Sequence, residues 1–307
     1  MTEHFLQPDH DTVVDVFDPH AAAVLMVEPG DSVEVRSLNA HGHIERQTKP
    51  GEQVATLLRG SRGHTLTGPI GVRGARPGQI LAVRLHSLTP DDWGFTVSGA
   101  KDNELNRRLG ITGELPAWLL WDLDVEAKTG TDDRGHTVAL APFLGVTGVP
   151  PAEPGRHSTI PPRTVGGGNI DCRELVAGST LYLPVTVADA LLSVGDGHAA
   201  QGDGEVSGTA IETGMTTRMT LDLLDEAAVS GVHAETPAGR ITFGFNADLN
   251  IAMADALAAM ADWMQSIYGL DRSTTLALAS PTVSLRVTQV ANDTWGVHAL
   301  LPEGAIR

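Results

Sequence analysis

The densest group of titratable side chains lies in one glycine-rich stretch, Ser193-Val-Gly-Asp-Gly-His-Ala-Ala-Gln-Gly-Asp-Gly-Glu205. Two aspartates (Asp196 and Asp203), His198 and Glu205 alternate there with glycines. Glycine occurs where the backbone turns sharply or closely approaches another group. Carboxylates and an imidazole on such a frame can bind a divalent metal ion or act as acids and bases. The stretch therefore predicts a metal or acid–base site; the alternative is a hairpin with solvated charges.

The spacing within this stretch indicates which side chains can meet. Asp196 and His198 are two residues apart, so they share one face if they lie on a strand. If the chain after Glu205 forms the returning strand, Glu205 comes back beside them. Glu212 is seven residues further on and faces the other way in a straight strand. It joins the same site only through a bulge, which Gly208 permits.

A second glycine-rich stretch, Pro161-Pro-Arg-Thr-Val-Gly-Gly-Gly-Asn-Ile-Asp-Cys172, supplies three more functional side chains. Asn169 and Asp171 alternate onto one strand face. Asn169 offers a donor and an acceptor to an amide or carbonyl group. Asp171 is a candidate metal ligand, and Arg163 could bind a carboxylate. The alternative for Asn169 and Asp171 is turn chemistry, because both residue types favour tight turns.

The expected cofactor is a divalent metal ion. A mixed set of carboxylates and imidazole suits zinc, manganese or another divalent ion. Zinc is the first choice, with calcium or manganese as alternatives. Such an ion lowers the pKa of a bound water and polarises a carbonyl group. The expected ligands are Asp171, Asp196, His198 and Glu205.

Two further residues are candidates for chemistry. His64 begins the run His64-Thr-Leu-Thr-Gly-Pro69, in which we predict a tight turn at Gly68-Pro69. Cys172 is the single cysteine, so no intrachain disulfide can form, which fits a reducing cytoplasm. Cys172 could be a nucleophile, but no activating base is adjacent, and a buried free cysteine is more often a small hydrophobe.

The composition favours a globular protein with an acidic surface. The chain has 307 residues, of which 41% are hydrophobic, and a formal net charge of -17. Such a surface repels phosphate backbones and anionic membranes, so we expect neither nucleic acid nor a membrane as partner. We see no signal peptide. No apolar run approaches the roughly 20 residues that span a bilayer, and we expect a cytoplasmic protein.

Turn residues and periodicity predict a mainly β fold. Glycine (34) and proline (18) are frequent and scattered, which favours short strands. Alternating runs such as 80–85 and 181–187 predict strands, and the chain closes with two more at 282–290 and 295–301. We predict sandwich-like or barrel-like lobes with a few helices, including one near 248–268.

Two helices are predicted from periodicity and caps. Asp248 can cap the first, which Gly269 ends. Its apolar residues recur at helical spacing, namely Met253, Leu257, Met260, Met264 and Ile267. A weaker helix is predicted over 101–109, with Gly110 as its end.

Three segments describe the expected organisation. Residues 1–100 form an N-terminal β lobe, and residues 101–165 connect it onward through a long Pro/Gly-rich loop. Residues 166–307 form a C-terminal β lobe that carries the main site. We expect the segments to pack as one compact unit.

Together, these motifs resemble the acetamidase/formamidase family. The resemblance follows the family's order from about Val24 to Pro302, nearly the whole chain. It is carried by His64-Thr-Leu-Thr-Gly-Pro69, Pro142-Phe-Leu-Gly-Val-Thr-Gly148, Ser158-Thr-Ile-Pro-Pro-Arg163, Gly167-Gly-Asn-Ile-Asp171, Gly178-Ser-Thr-Leu-Tyr-Leu-Pro-Val185 and Val194-Gly-Asp-Gly-His-Ala-Ala-Gln-Gly-Asp-Gly-Glu205.

The resemblance implies hydrolysis of a short-chain aliphatic amide, of the formamide or acetamide type, to a carboxylate and ammonia. It also implies a mainly β fold, a bound divalent metal and a homo-oligomer, dimeric or larger. The chain departs from the family in two places. Asn39 stands where the family commonly has aspartate, and Ser98–Leu109 matches no family pattern.

The leading hypothesis is therefore a metal-assisted amidohydrolase with Glu205 as general base. Asn169 and backbone amides near Gly167 and Gly168 would stabilise the oxyanion. The catalytic set is Glu205, Asn169 and Asp171, and the substrate-binding set is His64, Arg163, Asn169, Gly167 and Gly168. Two alternatives stay open: an amidase with Cys172 as nucleophile, and a non-catalytic metal-binding β module.

Overall fold

The computed structural model describes residues 2–99, 102–112 and 115–307. These residues form 22 strands and three helices, which confirms the mainly β prediction. In chain order the strands are β1 (Glu3–Leu6), β2 (Val13–Val14), β3 (Val16–Phe17), β4 (Leu25–Val27), β5 (Asp31–Ser37), β6 (Leu66–Val72), β7 (Ile80–Pro90), β8 (Trp93–Ser98), β9 (Ala117–Asp124), β10 (Thr129–Asp132), β11 (Thr137–Ala139), β12 (Phe143–Gly148), β13 (His157–Ser158), β14 (Gly167–Asn169), β15 (Thr180–Pro184), β16 (Leu192–His198), β17 (Glu212–Thr213), β18 (Met215–Leu224), β19 (His233–Thr236), β20 (Gly239–Asn246), β21 (Ser284–Gln289) and β22 (Trp295–Pro302).

Nine strands form one sheet in the order β1-β5-β18-β7-β15-β19-β20-β22-β21. The β1–β5 pair is parallel and β18 runs antiparallel to both of its neighbours, β5 and β7. Residues of β5 alternate between buried and half-buried, so one face of this strand covers the core.

An eleven-stranded sheet carries the candidate site. Eight of its strands follow the order β11-β10-β9-β8-β17-β16-β12-β14, while β6 pairs with β16, β2 and β4. All seven residues of β16 are buried. Strand β16 thus lies in the interior of the sheet, with β12 and β17 as antiparallel neighbours. In the described part of the chain neither large sheet closes into a barrel.

The main hydrophobic core joins the two sheets. Val33 and Leu81 of the nine-stranded sheet pack in one cluster with Leu144 and Leu192 of the other. Burying a side chain of this size contributes about 1.5–3 kcal/mol. The packed cluster therefore fixes β12 and β16, which carry Gly145 and the pair Asp196 and His198 of the site.

The helices lie at α1 (Glu104–Leu109), α2 (Leu249–Tyr268) and α3 (Arg272–Thr282). The prediction for α2 is confirmed, including its caps: the Asp248 side chain accepts a hydrogen bond from the backbone of Asn250, and Gly269 is left-handed. Helix α1 ends at Gly110 as predicted, whereas its predicted start at Lys101 lies outside the described residues. Among the described helices, none combines the length and apolar character that crossing a membrane requires.

Two local predictions are wrong. Gly68 and Pro69 lie inside β6 rather than in a tight turn, because β6 pairs with β16, β2 and β4. The predicted strand over 282–290 begins only at Ser284, since α3 extends to Thr282. Helix α3 is capped by Asp271, but its largely polar sequence has no apolar period that would have predicted it.

Both large sheets take strands from the N-terminal and the C-terminal segments. Strand β7, for example, lies between β18 and β15. The division into lobes over 1–100 and 166–307 stays a prediction, and limited proteolysis can test where the chain separates.

Candidate active site

The centre of the site is the end of β16, where Asp196 and His198 lie. Glu212 of β17 pairs directly with His198 in the antiparallel register. His198 Nε2 lies 3.4 Å from Asp196 Oδ1 and 3.2 Å from Glu212 Oε1. All three side chains are at most 4% exposed. The strand spacing that placed Asp196 and His198 together thus brings them to one buried point.

Asp171 reaches the same point from the loop after β14. The carbonyl of Gly145 on β12 accepts hydrogen bonds from the backbone amides of Ile170 and Asp171, at 2.9 and 3.2 Å. Asp171 is 1% exposed. Ligand atoms of Asp171, Asp196 and His198 lie within 4.8 Å of one another. The predicted partners from two separate motifs are therefore brought together by β12, which pairs with both β14 and β16.

Gly145 leaves the space into which these side chains project. A Cβ atom at this position would lie 2.5 Å from Asp196 Oδ2, 2.8 Å from Asp171 Oδ1 and 2.9 Å from His198 Cε1. Real Cβ atoms do not approach other heavy atoms so closely. A glycine is required here by the close approach of the three side chains.

Glu205 enters the site from a loop rather than from a returning strand. Residues 206–211 form turns and irregular structure, so the predicted strand after Glu205 is reduced to Glu212–Thr213. Gly204 anchors the loop to the nine-stranded sheet, donating to Thr288 O and accepting from Val290 N. This bridging loop, and not a bulge, brings Glu205 and Glu212 into a group with His198 whose ligand atoms lie within 4.8 Å.

Three carboxylate residues of the site have strained backbones. Asp171, Asp196 and Glu205 have φ values of 53°, 58° and 44°. They are three of the seven non-glycine residues with positive φ in the described part of the chain. Left-handed backbone costs about 1–3 kcal/mol per residue outside glycine and concentrates at functional sites. The fold therefore holds these side chains in orientations that the local sequence does not favour.

Several polar atoms of the site are buried without a hydrogen bond of good geometry, although His198 Nε2 lies within ion-pair distance of Asp196 and Glu212. They are both carboxylate oxygens of Asp171, His198 Nε2, Glu205 Oε2, Glu212 Oε2 and Asn169 Oδ1. Leaving such atoms unsatisfied is costly. Oxygen and imidazole donors converging on one point, with a glycine opposite, fit a divalent metal ion of the zinc or manganese kind. Calcium fits less well, since it prefers oxygen ligands alone.

Burial raises the pKa of three of the carboxyl groups. It raises the pKa of Glu205 from 4.5 to about 8. Burial, aided by the charge of Glu205, raises the pKa of Asp171 well above its usual value. The pKa of Glu212 is raised as well, again chiefly by burial. Proximity of like charges without a cation opposes ionisation of the whole group.

Asp196 and His198 shift in the opposite sense, as an ion pair. Burial would raise the pKa of Asp196, but the nearby His64 and His198 outweigh it and the pKa is lowered. Burial would lower the pKa of His198, but Glu212 and Asp196 outweigh it and the pKa is raised well above 6.5. A metal cation binding at His198 would displace this proton.

Gln201 fixes how His198 faces the site. Its amide nitrogen donates to Asp171 O at 2.7 Å, which turns its oxygen towards His198 Nδ1 at 2.9 Å. The Nδ1 atom must then be the donor, and Nε2 faces the carboxylates. Such a partner on the second ring nitrogen is typical of metal-ligating histidines.

A cavity of about 380 Å³ opens onto the site. Five of its lining residues carry groups able to act on a substrate: His64, Asn169, Asp196, Glu205 and Glu212. His64 Nε2 lies 3.9 Å from Asp196 Oδ2, while its Nδ1 lies 3.2 Å from Thr159 Oγ1. The structure thus exposes the carboxylates to a small molecule on one side.

Other predicted substrate-binding residues lie outside this cavity. Gly167 and Gly168 are buried in β14 and pair with Gly148 and Thr147 of β12. The guanidinium of Arg163 donates to the carbonyls of Pro161 and Ser158, at 3.2 and 2.8 Å. None of the three is among the described residues that line the cavity.

Cys172 is fully buried and is not among the described residues that line the cavity. Its thiol donates to Glu174 Oε2 at 3.3 Å. Burial, with the charge of Glu174, raises its pKa well above the usual value. A thiol in this state is a poor nucleophile.

Three residues of the site are not among those predicted from the sequence: Glu212, Gln201 and Gly145. Glu212 is not among the residues predicted for the site, because a straight strand from Glu205 directs its side chain to the opposite face. Gln201 lay within the first motif, and its position three residues after His198 was the available signal. Gly145 gave no local signal, since its role depends on strands distant in sequence.

The chain belongs to the acetamidase/formamidase family. The model of that family matches residues 3–157 and 152–293, nearly the whole chain. The family resemblance seen in the motifs is thereby confirmed.

Curated relatives and a solved structure agree with this membership. The formamidase of Methylophilus methylotrophus is 30% identical over 239 residues, which cover 62% of this chain and 58% of the relative. The acetamidase of Mycolicibacterium smegmatis is 32% identical over 219 residues, 52% of this chain and 53% of that protein. The chain thus spans a little over half the length of these relatives. The structure of an acetamidase from Yersinia enterocolitica matches with 26% identity and a TM-score of 0.84, over 99% of this chain and 93% of that one.

Proposed function

We propose that this protein hydrolyses a short-chain primary amide to a carboxylate and ammonia. The observation that supports this most strongly is the group of buried, unpartnered carboxylate and imidazole atoms at the floor of a cavity. Its relatives are named formamidase and acetamidase. Hydrolysis of an amide needs a water activated by a base, a polarised carbonyl and a proton for the leaving nitrogen.

Glu205 is proposed as the general base. It lines the cavity, its Oε2 has no hydrogen-bond partner, and its pKa of about 8 lies near neutral pH. Its carboxylate takes a proton from the attacking water as the carbon–oxygen bond forms. The same group returns that proton to the nitrogen as the carbon–nitrogen bond breaks, so that ammonia leaves. A base with a pKa close to the working pH suits both transfers.

Asp171, Asp196 and His198 are proposed to hold a divalent metal ion, with Glu205 or Glu212 completing the set. A bound ion supplies electrophilic polarisation of the carbonyl and acidification of water. The residues supply the geometry: Gln201 orients His198, and the Gly145 carbonyl holds the backbone of Asp171. Zinc is proposed first, and manganese is the alternative with the same donors.

Asn169 and His64 are proposed to position the amide. Both line the cavity beside the carboxylates. The Asn169 side-chain amide can donate to the carbonyl oxygen and accept from the substrate nitrogen. His64 lies 3.9 Å from Asp196, and its other nitrogen contacts Thr159. Gly167 and Gly168 are instead proposed to support Asn169 within β14, and Arg163 to support the turn that precedes this strand.

The Cys172 mechanism is less well supported, because its thiol is buried, bonded to Glu174 and absent from the described cavity lining. A non-catalytic metal-binding module would explain the buried donors but not their contact with a cavity. We also propose a cytoplasmic homo-oligomer, dimeric or larger. Light scattering on the purified protein would test the oligomeric state.

Ammonia release from formamide, acetamide and propionamide tests the proposal. We expect turnover that is lost on treatment with a chelator and restored by zinc or manganese. Glu205→Gln should lower kcat by about 100-fold or more, because general-base catalysis contributes about 10²–10⁴-fold. Glu126→Gln, an exposed glutamate between β9 and β10, is the matched control and should be fully active. An active Glu205→Gln enzyme would remove Glu205 from this role, and turnover indifferent to thorough metal removal would remove the metal.

A further inference from the structure

The cavity above the site has more room than formamide or acetamide needs. Its volume is about 380 Å³. Pockets of about 300–1,000 Å³ enclose most of a drug-sized ligand. Formamide carries only hydrogen on its carbonyl carbon and acetamide a single methyl group. An amide of either kind, placed at the carboxylates, leaves most of the cavity unfilled.

One side of the cavity is formed by apolar and aromatic side chains, while polar side chains such as Asn103, Ser207 and Asn292 line other parts of it. We define the aromatic wall as His41, Val97, Leu105 and Trp118, all of which line the cavity. Phe95 supports this wall from behind: its ring centroid lies 5.3 Å from that of His41 and 5.7 Å from that of Trp118. Surfaces of this kind bind apolar groups through burial and ring contacts.

The register of β8 gives the length of the wall. Phe95 pairs with Glu212 of the site, and Val97 pairs with Trp118 on the other side of β8. Val97 follows Phe95 by two residues, which corresponds to about 7 Å along a strand. This span fits a phenyl ring or a chain of a few methylene groups beyond the amide.

The charges around the cavity favour a neutral acyl group on the substrate. Asp196, Glu205 and Glu212 lie at its floor. Arg62 is the one lysine or arginine among the described lining residues, and its guanidinium pairs with Asp15 at 3.2 Å. An acyl group with its own carboxylate would therefore face three carboxyl groups, while the one lining arginine is already paired.

We infer that the preferred substrate is a primary amide with a neutral, apolar acyl group about the size of a phenylacetyl or hexanoyl group. The amide lies at the carboxylates, and the acyl group lies along the aromatic wall. This inference rests on the proposed amide hydrolysis and extends its substrates from short-chain amides to amides with a larger apolar acyl group.

The test compares kcat/KM for acetamide, hexanamide, phenylacetamide and succinamate, whose acyl group carries a carboxylate. We expect hexanamide and phenylacetamide to exceed acetamide by at least tenfold, because one methylene in an apolar pocket changes specificity by roughly 10–200-fold. Succinamate should fall below acetamide. Values for acetamide that equal or exceed those for both larger amides would overturn the inference.

Variants of the aromatic wall test whether this wall causes the preference for larger amides. Trp118→Ala should lower the ratio of kcat/KM for phenylacetamide over acetamide at least tenfold. Trp263→Phe, which changes a buried indole outside the cavity, should leave this ratio unaltered. Trp118→Leu replaces Trp118→Ala if the latter does not fold. A ratio that survives loss of the Trp118 ring would contradict the assignment.

Calorimetric titration separates this inference from the proposed function. If none of the amides is hydrolysed, the proposed function is wrong. Binding of phenylacetamide still tests whether an acyl group contacts the aromatic wall. Phenylacetamide should then bind at least tenfold more tightly than acetamide, and Trp118→Ala should remove the difference. Equal binding of the two amides would overturn the inference.

Discussion

Two clusters of titratable side chains, which begin at the neighbouring residues Asp171 and Cys172, differ in charge balance and in access to a cavity. Asp171 belongs to the carboxylate–histidine site, with Asp196, His198, Glu205 and Glu212. Cys172 belongs to a second group, which we call the arginine-closed cluster: Cys172, Glu174, Arg286 and His298. In that cluster Glu174 accepts from Arg286 at 2.7 Å and from Cys172 at 3.3 Å, and Thr288 Oγ1 lies 2.9 Å from His298 Nδ1.

The difference lies in charge balance and access. Cysteine, glutamate and histidine can also bind metals, and ligand atoms of these three residues lie within 4.8 Å. Arg286 already neutralises Glu174, however, and its charge opposes a second cation. None of the four residues is among the described cavity linings. The carboxylate–histidine site has four carboxyl groups, unpartnered atoms and a cavity. The arginine-closed cluster also contains an unpartnered buried atom, His298 Nε2, but this atom lies at none of the described cavities. Unpartnered groups are available for function where they lie beside a cavity.

Filling the space at Gly145 should give the largest effect. The added methyl group of Gly145→Ala would collide with Asp196, Asp171 and His198 and displace the ligand set. We expect a loss of about 100-fold in kcat/KM, since a displacement of about 1 Å in a site costs roughly this much. Kinetics and metal content per chain are the measurements.

Gly202→Ala is the control for this variant, because a Cβ there meets nothing within 4 Å and the residue's φ is not left-handed. It should retain metal and activity. A fully active, metal-loaded Gly145→Ala protein would show that the close packing of the ligands is not needed.

Removing the carboxylate of the arginine-closed cluster should mainly affect stability. Glu174→Gln removes the charge that pairs with Arg286, which keeps only its longer contact to Asp203 at 3.8 Å, and it weakens the bond from Cys172. We expect the free energy of unfolding to fall by about 1–3 kcal/mol, as measured by urea denaturation. Activity per folded molecule should stay within about threefold of wild type.

A double-mutant cycle with Arg286→Met tests the pairing. The two single losses should not add, since each removes the same ion pair. Additive losses, or loss of metal in Glu174→Gln, would place this cluster among the functional groups and end the contrast.

Local features of the chain were predictable because they depend on near neighbours. The caps of α2 and the shared face of Asp196 and His198 both follow from short spacings. The place of Glu212 in the site was not predictable, since it depends on a loop that is anchored on β21. The role of Gly145 was not predictable either, because its contacts depend on the pairing of β12 with β14 and β16. Helix α3 was missed because caps and tertiary contacts, not an apolar period, define it.

The metal-stripped protein should lose stability as pH rises from 7 to 8. The folded-state pKa of Glu205 is about 8 and its ordinary value is 4.5. Between these values the folded state holds a proton that the unfolded state has released, so stability falls with rising pH. One such proton corresponds to about 1 kcal/mol over this interval. Buried His43 and His298, with pKa values of about 4 and 3, have their opposite effect below pH 6.5.

Thermal or urea unfolding at pH 7.0, 7.5 and 8.0 measures this slope. Glu205→Gln should reduce this slope, and the rest of it comes from Asp171, Glu212 and His198, whose pKa values are raised as well. Added zinc should reduce the slope in the wild type, because a cation favours the ionised carboxyl groups. The Glu174→Gln protein should keep the wild-type slope. An equal slope in stripped wild type and Glu205→Gln would show that Glu205 ionises normally.

The smallest effect is expected at Cys172, although it adjoins a proposed metal ligand. Cys172→Ser keeps a hydrogen-bond donor towards Glu174 and changes nothing that faces the cavity. We expect kcat/KM within about twofold of wild type, measured on the amide with the highest turnover. Glu205→Gln assayed in parallel supplies the inactive reference. A loss at Cys172→Ser as large as that of Glu205→Gln would make the thiol the nucleophile and transfer the function from the open site to the closed cluster.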